Sequence, residues 1–263
     1  MAEERLGLIY ELFLIVNQNR PDDPEYVLAK YFLKNYTKLG KMNIYDLAEA
    51  CYVSRSSIRR FCQRIGYDNF KDLKHEFKEF DYQYNYFMKL TSKSDYRSWL
   101  AGEIEEMVKE LDYRLDTDEM ERIAERIHDS KNVVFLSSYS SIMCIMEFQR
   151  PLILSGKLVY VMTDMTMDEA FLEELTPKDY VVTVSATGNF ARAMQQKLLS
   201  IQAYKVLLTS SRNKEIEEPY DKVYHMSAKD YSDVKSVYSK YGLEYFFDVL
   251  YSTYVRKYGT EIP

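Results

Sequence analysis

The spacing of apolar residues changes once along the chain. Through residues 1–78, apolar side chains recur every three or four positions, the period of an amphipathic helix. A first predicted helix ends where Pro21 and Pro24 interrupt it, since proline cannot continue a helix. Further helices are predicted at about 24–39, 44–50, 55–65 and 70–77. This part of the chain is therefore expected to be all helical.

From about residue 99 onward, short β-branched runs alternate with helical patterns. Strands are predicted at about 132–137, 157–162, 180–185, 204–209 and 222–226. Helices are predicted at about 99–114, 117–129, 141–155, 167–175, 189–202 and 232–258. Such alternation predicts an α/β domain with a five-stranded parallel sheet flanked by helices. The polar, tyrosine-rich stretch 79–98 is interpreted as a linker, which gives domains at 1–78 and 99–263.

Charge separates the two parts. Residues 26–78 carry 11 Lys and Arg against 5 Asp and Glu, whereas residues 79–263 carry 22 against 30. A basic segment ahead of an acidic body is typical of a nucleic-acid-binding module joined to another domain. Three cysteines and three widely separated histidines exclude a disulfide framework and give no metal-ligand spacing, so no metal, cofactor or catalytic residue is assigned.

Residues 44–65 have the spacing of a helix-turn-helix, whose second helix enters the major groove of DNA. Ala48 is placed where the two helices cross, and Ser54 is placed to cap the second helix. Tyr52 occupies the turn position that favours glycine. The alternative is an ordinary helix pair with a solvated, arginine-rich face. The candidate DNA-binding residues are Arg55, Ser56, Ser57, Arg59, Arg60, Gln63 and Arg64.

Two hydroxyl-rich loops follow predicted strands and lead into predicted helices. They are residues 137–141, after the first strand, and residues 185–190, after the third. Hydroxyls and free backbone amides at the start of a helix bind anions, and open α/β sheets bind ligands at the carboxyl ends of their strands. The alternative is that these serines and threonines are ordinary turn and capping residues. His225 and Cys62 are interpreted as structural residues.

The stretch LAEACYVSRSSIRRFCQRIGYDNFKDLK, residues 47–74, resembles the amino-terminal domain of the RpiR/MurR transcriptional regulators. In that family the domain precedes a SIS (sugar isomerase) domain, so the resemblance implies such a domain over the remainder of the chain. The matching residues are Leu47, Ala48, Val53, Ser54, Ile58, Arg60, Phe61, Ile65, Gly66, Tyr67, Phe70, Leu73 and Lys74.

The resemblance also implies a phosphosugar effector held by the two hydroxyl-rich loops. The implied effector-binding residues are Ser137, Ser140, Ser141, Ser185, Thr187, Gly188 and Asn189. This chain departs from the family pattern at three positions. Ser137 and Tyr139 stand where the family has glycine, and Phe190 replaces a final hydroxyl residue.

We therefore expect a transcriptional regulator of sugar or amino-sugar metabolism that forms a homodimer or higher homo-oligomer. It is expected to bind a double-stranded DNA operator with an affinity set by a phosphosugar. Two alternatives remain open, a ligand-independent DNA-binding dimer with a vestigial pocket and a SIS-type phosphosugar isomerase. The apolar stripe over 245–254 is a candidate dimerisation surface. Apolar runs stay well below the roughly 18 residues of a membrane span, and the start lacks signal-peptide features. We therefore expect a cytoplasmic protein with no membrane partner.

Overall fold

The structure, a computed structural model, describes residues 8–74, 91–138, 141–163, 166–232 and 236–259. The chain divides into two units, residues 7–94 and residues 95–263, and each has a core of its own. The first described helix of the second unit begins at Tyr96, inside the predicted linker 79–98. Most of that linker lies outside the described residues, so its assignment stays a prediction.

The amino-terminal unit is built from short helices. They are α1 (Leu8–Gln18), α2 (Pro24–Lys34), α3 (Tyr36–Leu39), α4 (Ile44–Cys51) and α5 (Arg55–Arg64), and residues 70–74 are helical as well. The single helix predicted over 24–39 is wrong, because it is interrupted at Asn35, where φ is −112° and ψ is 21°. There the Tyr31 carbonyl oxygen accepts from both the backbone amide of Asn35 at 2.9 Å and its side-chain Nδ2 at 3.0 Å, so Asn35 caps the end of α2.

Aromatic side chains hold this unit together. Phe32 of α2 lies fully buried, with its ring 5.5 Å from that of Phe61 in an edge-to-face arrangement. The ring of Phe70 also packs against the Phe32 ring, with 5.9 Å between the ring centroids. Leu47 of α4 and Ile58 of α5 are fully buried in the same cluster. The core therefore fixes α5 by one face and leaves its other face in solvent.

The carboxy-terminal unit contains five parallel strands in the order β2-β1-β3-β4-β5. The predicted fold class is confirmed. The strands are β1 (Val133–Ser137), β2 (Tyr160–Met162), β3 (Tyr180–Val184), β4 (Tyr204–Thr209) and β5 (Lys222–His225). The prediction of a strand from residue 157 is wrong, since β2 begins at Tyr160. Just before it, the carbonyl oxygen of Val159 accepts a hydrogen bond from the Gln149 side chain at 2.8 Å.

Helices cover both faces of the sheet. On one face, α6 (Tyr96–Arg114), α7 (Thr117–Asp129), α8 (Ile142–Leu154) and α11 (Tyr241–Tyr258) pack against Phe135 and its neighbours. On the other, α9 (Glu169–Glu173) and α10 (Asn189–Ser200) pack against Val134 and Leu136. Burial on both faces explains why the strands are continuous apolar runs. Among the described helices, none is long and apolar enough to cross a bilayer.

The last helix differs from its prediction. A start at about residue 232 is wrong, because α11 begins at Tyr241 after a short 3-10 turn, Val237–Ser239; residues 233–235 lie outside the described part. The stripe predicted for dimerisation is largely used inside its own domain, since Phe246, Leu250 and Tyr254 are buried against the sheet and its helices.

One carboxylate ties the segment before α11 to the rest of the domain. Glu110 of α6 accepts hydrogen bonds from the Tyr238 hydroxyl, the Ser227 hydroxyl, the Ala228 amide and the Arg114 guanidinium. Burial alone raises the pKa of this carboxyl, but the four donors outweigh burial and lower it to about 2. The bonds therefore stabilise the domain while Glu110 is ionised.

We expect Glu110→Gln to lower the free energy of unfolding at neutral pH by about 1–3 kcal/mol, because charge-assisted bonds are lost. The depressed pKa means that the stabilisation exists above the unfolded value of 4.5 and disappears as the pH falls toward 2. Urea unfolding followed through the single tryptophan, Trp99 on α6, measures both effects. Glu105→Gln is the control, since Glu105 forms an exposed pair with Lys109. Equal acid sensitivity in wild type and Glu110→Gln would contradict this role.

Candidate functional site

Helix α5 is divided lengthwise into an apolar and a polar stripe. Both repeat at intervals of three, four and seven residues, which place side chains on one face of a helix. The apolar stripe is buried and consists of Ile58, Phe61, Cys62 and Ile65. The polar stripe is exposed and consists of Ser56, Arg59, Arg60 and Gln63. Packing of the first stripe therefore aims the second away from the core.

The start of α5 is fixed by its cap. The Ser54 hydroxyl accepts from the backbone amide of Ser57 at 3.0 Å and lies 2.7 Å from the Ser56 hydroxyl. Tyr52, in the turn before it, has φ of +53° and ψ of 39° and is 95% exposed. The cap and the left-handed turn predicted from the sequence are both confirmed. A tyrosine in this conformation carries a steric cost that glycine avoids.

The two arginines at the ends of α5 differ from those of the polar stripe. Arg64 forms an ion pair with Glu25 of α2. Arg55 donates to the Tyr45 hydroxyl at 3.1 Å and lies over the Tyr45 ring at 4.8 Å. The sequence did not reveal these two pairings, and it gave no binding role to Tyr45 or Tyr52, two exposed aromatic side chains beside the start of α5. The ten-residue interval from Tyr45 to Arg55, across the turn between the two helices, could have indicated that these side chains meet.

The two hydroxyl-rich loops leave neighbouring strands. In the register of the sheet, Ser137 at the end of β1 lies opposite Val184 at the end of β3. With the order β2-β1-β3-β4-β5, the chain winds away from this pair in opposite directions, which opens a crevice between the two loops. The structure therefore brings both predicted loops to one edge of the sheet. Ser140, together with Tyr139, lies outside the described residues.

Two of the predicted effector residues have their hydroxyls engaged by the fold. The buried Ser137 donates to the carbonyl oxygens of Val184 and Ser138, both at 3.1 Å. Ser185 accepts from the amide of Ala191 at 3.1 Å and so caps α10. These bonds match the alternative interpretation of ordinary capping and turn residues.

The other described candidates with polar side chains are Ser141, Thr187 and Asn189. Ser141 is buried ahead of α8 and makes no side-chain capping bond to it. Thr187 and Asn189 are half-buried. Among the described candidates, these three side chains, with the first amides of α10, are therefore polar groups that the loops can offer to a ligand.

Gly188 is required by conformation and by space. Its φ is +84°, and a Cβ there would lie 2.8 Å from Ile216 Cδ1 and 2.9 Å from Ser211 Cβ. Phe190, which replaces a hydroxyl of the family pattern, is buried with Val134 and Leu136 beneath α10. That replacement therefore fills the core.

The loop after β4 adds polar groups that sequence reasoning missed. Thr209 donates to the carbonyl oxygen of Ser185 at 2.7 Å, so this loop braces the one after β3. The Ser210 hydroxyl is buried with no hydrogen-bond partner within the described chain. His225 lies 3.0 Å from the Ser211 carbonyl oxygen and 3.5 Å from Glu217, and burial lowers the pKa of its imidazole. The run of hydroxyl residues at the end of the predicted strand 204–209, Thr209, Ser210 and Ser211, could have indicated this loop.

Comparison with known families decides the identity of the first unit. Residues 17–83 match the family described as a helix-turn-helix domain, rpiR family, and this range includes both stripes of α5. The amino-terminal domain belongs to the rpiR helix-turn-helix family. The resemblance seen in residues 47–74 is thereby confirmed, and α4 and α5 lie within the matched range.

Individual proteins are similar to more or less of the chain. An uncharacterized HTH-type transcriptional regulator of Providencia stuartii is 24% identical over 177 residues, which cover 65% of this chain and 63% of that protein. One from Caldanaerobacter subterraneus is 45% identical over 47 residues, or 18% and 17% of the two chains. The structure of Vibrio vulnificus NanR complexed with ManNAc-6P has a TM-score of 0.53 at 19% identity, covering 95% of this chain and 92% of NanR. NanR is thus similar in fold.

We expect Gly188→Ala to lower the free energy of unfolding by about 2 kcal/mol or more, since left-handed strain is added to a close contact. Gly156→Ala is the matched control, because Gly156 also has a positive φ, +78°, but faces open space. Gly156→Ala should lower the free energy of unfolding by only about 1 kcal/mol, because it adds backbone strain without a close contact. Urea unfolding monitored through Trp99 compares the two. Equal losses would show that the contact with Ile216 and Ser211 adds nothing.

Proposed function

We propose that the chain is a homodimeric, non-enzymatic transcriptional regulator whose rpiR domains bind double-stranded DNA. In this proposal a phosphosugar bound in the α/β domain sets the DNA affinity. The polar stripe of α5, held outward on an rpiR helix-turn-helix, is the observation that carries the proposal. The proposal places the protein in the cytoplasm, together with its DNA.

The polar stripe suits the major groove. Its four side chains span eight residues, or roughly 10 Å of helix, a length that the groove accommodates. Arg59, Arg60 and Gln63 carry the donors that read base edges. At the start of the helix, Ser56, Ser57 and Arg55 suit phosphate oxygens. Arg64 contributes less in this proposal, because Glu25 already neutralises it.

The effector site is proposed in the crevice between the loops after β1 and β3. Ser141, Thr187 and Asn189 provide polar side chains, Gly188 makes the left-handed turn that leads into α10, and the first amides of α10 favour a phosphate. Ser137 and Ser185 hold the loops in place through Val184 and Ala191; Ser140 completes the proposed set. NanR, solved with ManNAc-6P, supports a phosphosugar as the class of ligand.

The isomerase alternative requires an acid or base positioned beside the sugar. His225, at the end of β5, is engaged instead by the Ser211 carbonyl and by Glu217. Measurable interconversion of a ketose phosphate and its aldose phosphate would revive this alternative.

Arg59→Ala is expected to weaken binding to a fluorescent duplex of about 30 base pairs, which holds two half-sites one helical turn apart. If Arg59 contacts a phosphate, the slope of log K against log salt falls by about 1. Fluorescence anisotropy over a salt series measures both quantities.

Arg64→Ala removes the same charge from the same helix and serves as the comparison. Because Arg64 is paired with Glu25, the duplex affinity should change much less than in Arg59→Ala. Affinities that fall equally, or an Arg59→Ala protein with wild-type affinity and an intact fold, would argue against the polar stripe as the DNA-binding surface.

N-acetylmannosamine 6-phosphate is the first phosphosugar to test by thermal shift, with unphosphorylated N-acetylmannosamine and inorganic phosphate beside it. A ligand that binds only the native state raises the melting temperature. Thr187→Val removes one hydroxyl at nearly constant volume. A lost bond to a charged phosphate should lower the affinity about tenfold or more.

Thr117→Val, at the exposed start of α7, is the matched control and should retain the whole shift. The remaining phosphosugars follow in the same assay. An unchanged shift in Thr187→Val would place the ligand elsewhere. Stabilisation by no phosphosugar would favour the alternative of a ligand-independent DNA-binding dimer with a vestigial pocket.

A further inference from the structure

Helix α8 leaves an apolar face in solvent. Its inner face is buried against the sheet and α11 through Ile145, Phe148 and Leu152. On the opposite face, Met143 is 63% exposed and Leu154 is 81% exposed. The outer face of α8 consists of Met143, Met146, Glu147, Arg150, Ile153 and Leu154. An exposed group of large apolar side chains on one helix indicates a contact surface.

The spacing along this face indicates that its partner is another helix. Met143, Met146, Arg150 and Ile153 follow one another at intervals of three, four and three residues, the spacing of a seam between packed helices. This order of intervals is the same whether the helix is followed from its amino or its carboxyl end. An antiparallel second copy would therefore present the same seam, with Met143 opposite its Ile153.

The charges on this face are also self-complementary. Glu147 and Arg150 form an exposed ion pair within α8, at 2.7 Å between Arg150 Nη2 and Glu147 Oε1. Both lie near the middle of the seam. About a two-fold axis at that point, Glu147 of each copy approaches Arg150 of the other. A two-fold interface requires this reciprocity: if residue i of one copy contacts residue j of the other, residue j of the first copy contacts residue i of the second.

We propose that the chain dimerises by antiparallel packing of the outer face of α8 against the same face of a second copy. The proposal rests on the homodimer in the proposed function and names its surface. A concavity of about 460 Å³ beside α8, lined in part by Met146, Ile153 and Leu158, receives apolar side chains of the second copy.

The position of α8 connects this interface to the proposed effector site. The helix begins directly after Ser141, the last residue of the loop that follows β1. A ligand that repositions this loop shifts the end of an interface helix, and small helix shifts at subunit interfaces are a common allosteric device.

Charge reversal tests the proposal in the full chain. Glu147→Arg leaves two cationic side chains on the face, and Arg150→Glu leaves two carboxylates. Each variant alone places like charges opposite one another, so its dimer dissociation constant should rise about tenfold or more. An equimolar mixture of the two variants is complementary at both contacts and should recover the dimer. Sedimentation velocity over a concentration series measures all three samples.

Two controls separate interface effects from loss of folding. Glu105→Lys reverses an equally exposed charge on α6, and Leu199→Glu matches Ile153→Glu on a different helix. Both controls should remain dimeric, whereas Ile153→Glu should not. Thermal melts of each variant verify that the domain is folded.

Three results would overturn the proposal. A monomeric wild type would overturn this interface and the homodimer of the proposed function together, and would leave another protein or the chain's own amino-terminal unit to cover the face. A dimeric wild type with dimeric single variants would overturn the interface alone. Monomeric single variants that fail to associate on mixing would overturn the antiparallel, reciprocal pairing.

Discussion

Pairing between β1 and β3 is the constraint on which the carboxy-terminal domain depends. These two strands are buried on both faces, and their register sets Ser137 opposite Val184. Because both strands are central and parallel, the loops that follow them meet at one edge of the sheet. The crossovers from β1 to β2 and from β3 to β4 run in opposite directions along the sheet, so α8 and α10 lie on opposite faces. The positions of the two loops and of α8 therefore all depend on how the central strands are placed in the sheet.

The amino-terminal domain depends instead on the two stripes of α5. Ile58 and Phe61 insert between α2 and α4, and this burial orients Arg59 and Arg60 without contacting them. The Ser54 cap sets where the helix begins, and hence which residues fall in which stripe. The direction of the polar stripe therefore follows from packing of the opposite face, and the proposed DNA-binding surface is already formed in the protein alone.

Features that arise from local pattern were predictable, and features that need distant partners were not. The strands follow from β-branched runs, and the Ser54 cap and the turn at Tyr52 follow from residues close in sequence. The pairing of Arg64 with Glu25 joins residues 39 positions apart, and nothing local marks it. Likewise, the hydrogen bond from Tyr238, in the turn before α11, to Glu110 joins residues 128 positions apart.

The strand order also sets a sequence of events during synthesis. The helical amino-terminal domain is closed by contacts between near neighbours, which form quickly. In contrast, β1 pairs with β3 across 47 residues and cannot do so until Val184 has left the ribosome. Until then the apolar residues of β1 have only the short edge strand β2 for a partner. The nascent chain therefore passes through a stage in which its amino-terminal domain can fold while its carboxy-terminal domain still exposes unpaired strands. Chaperones act on multidomain proteins in this period.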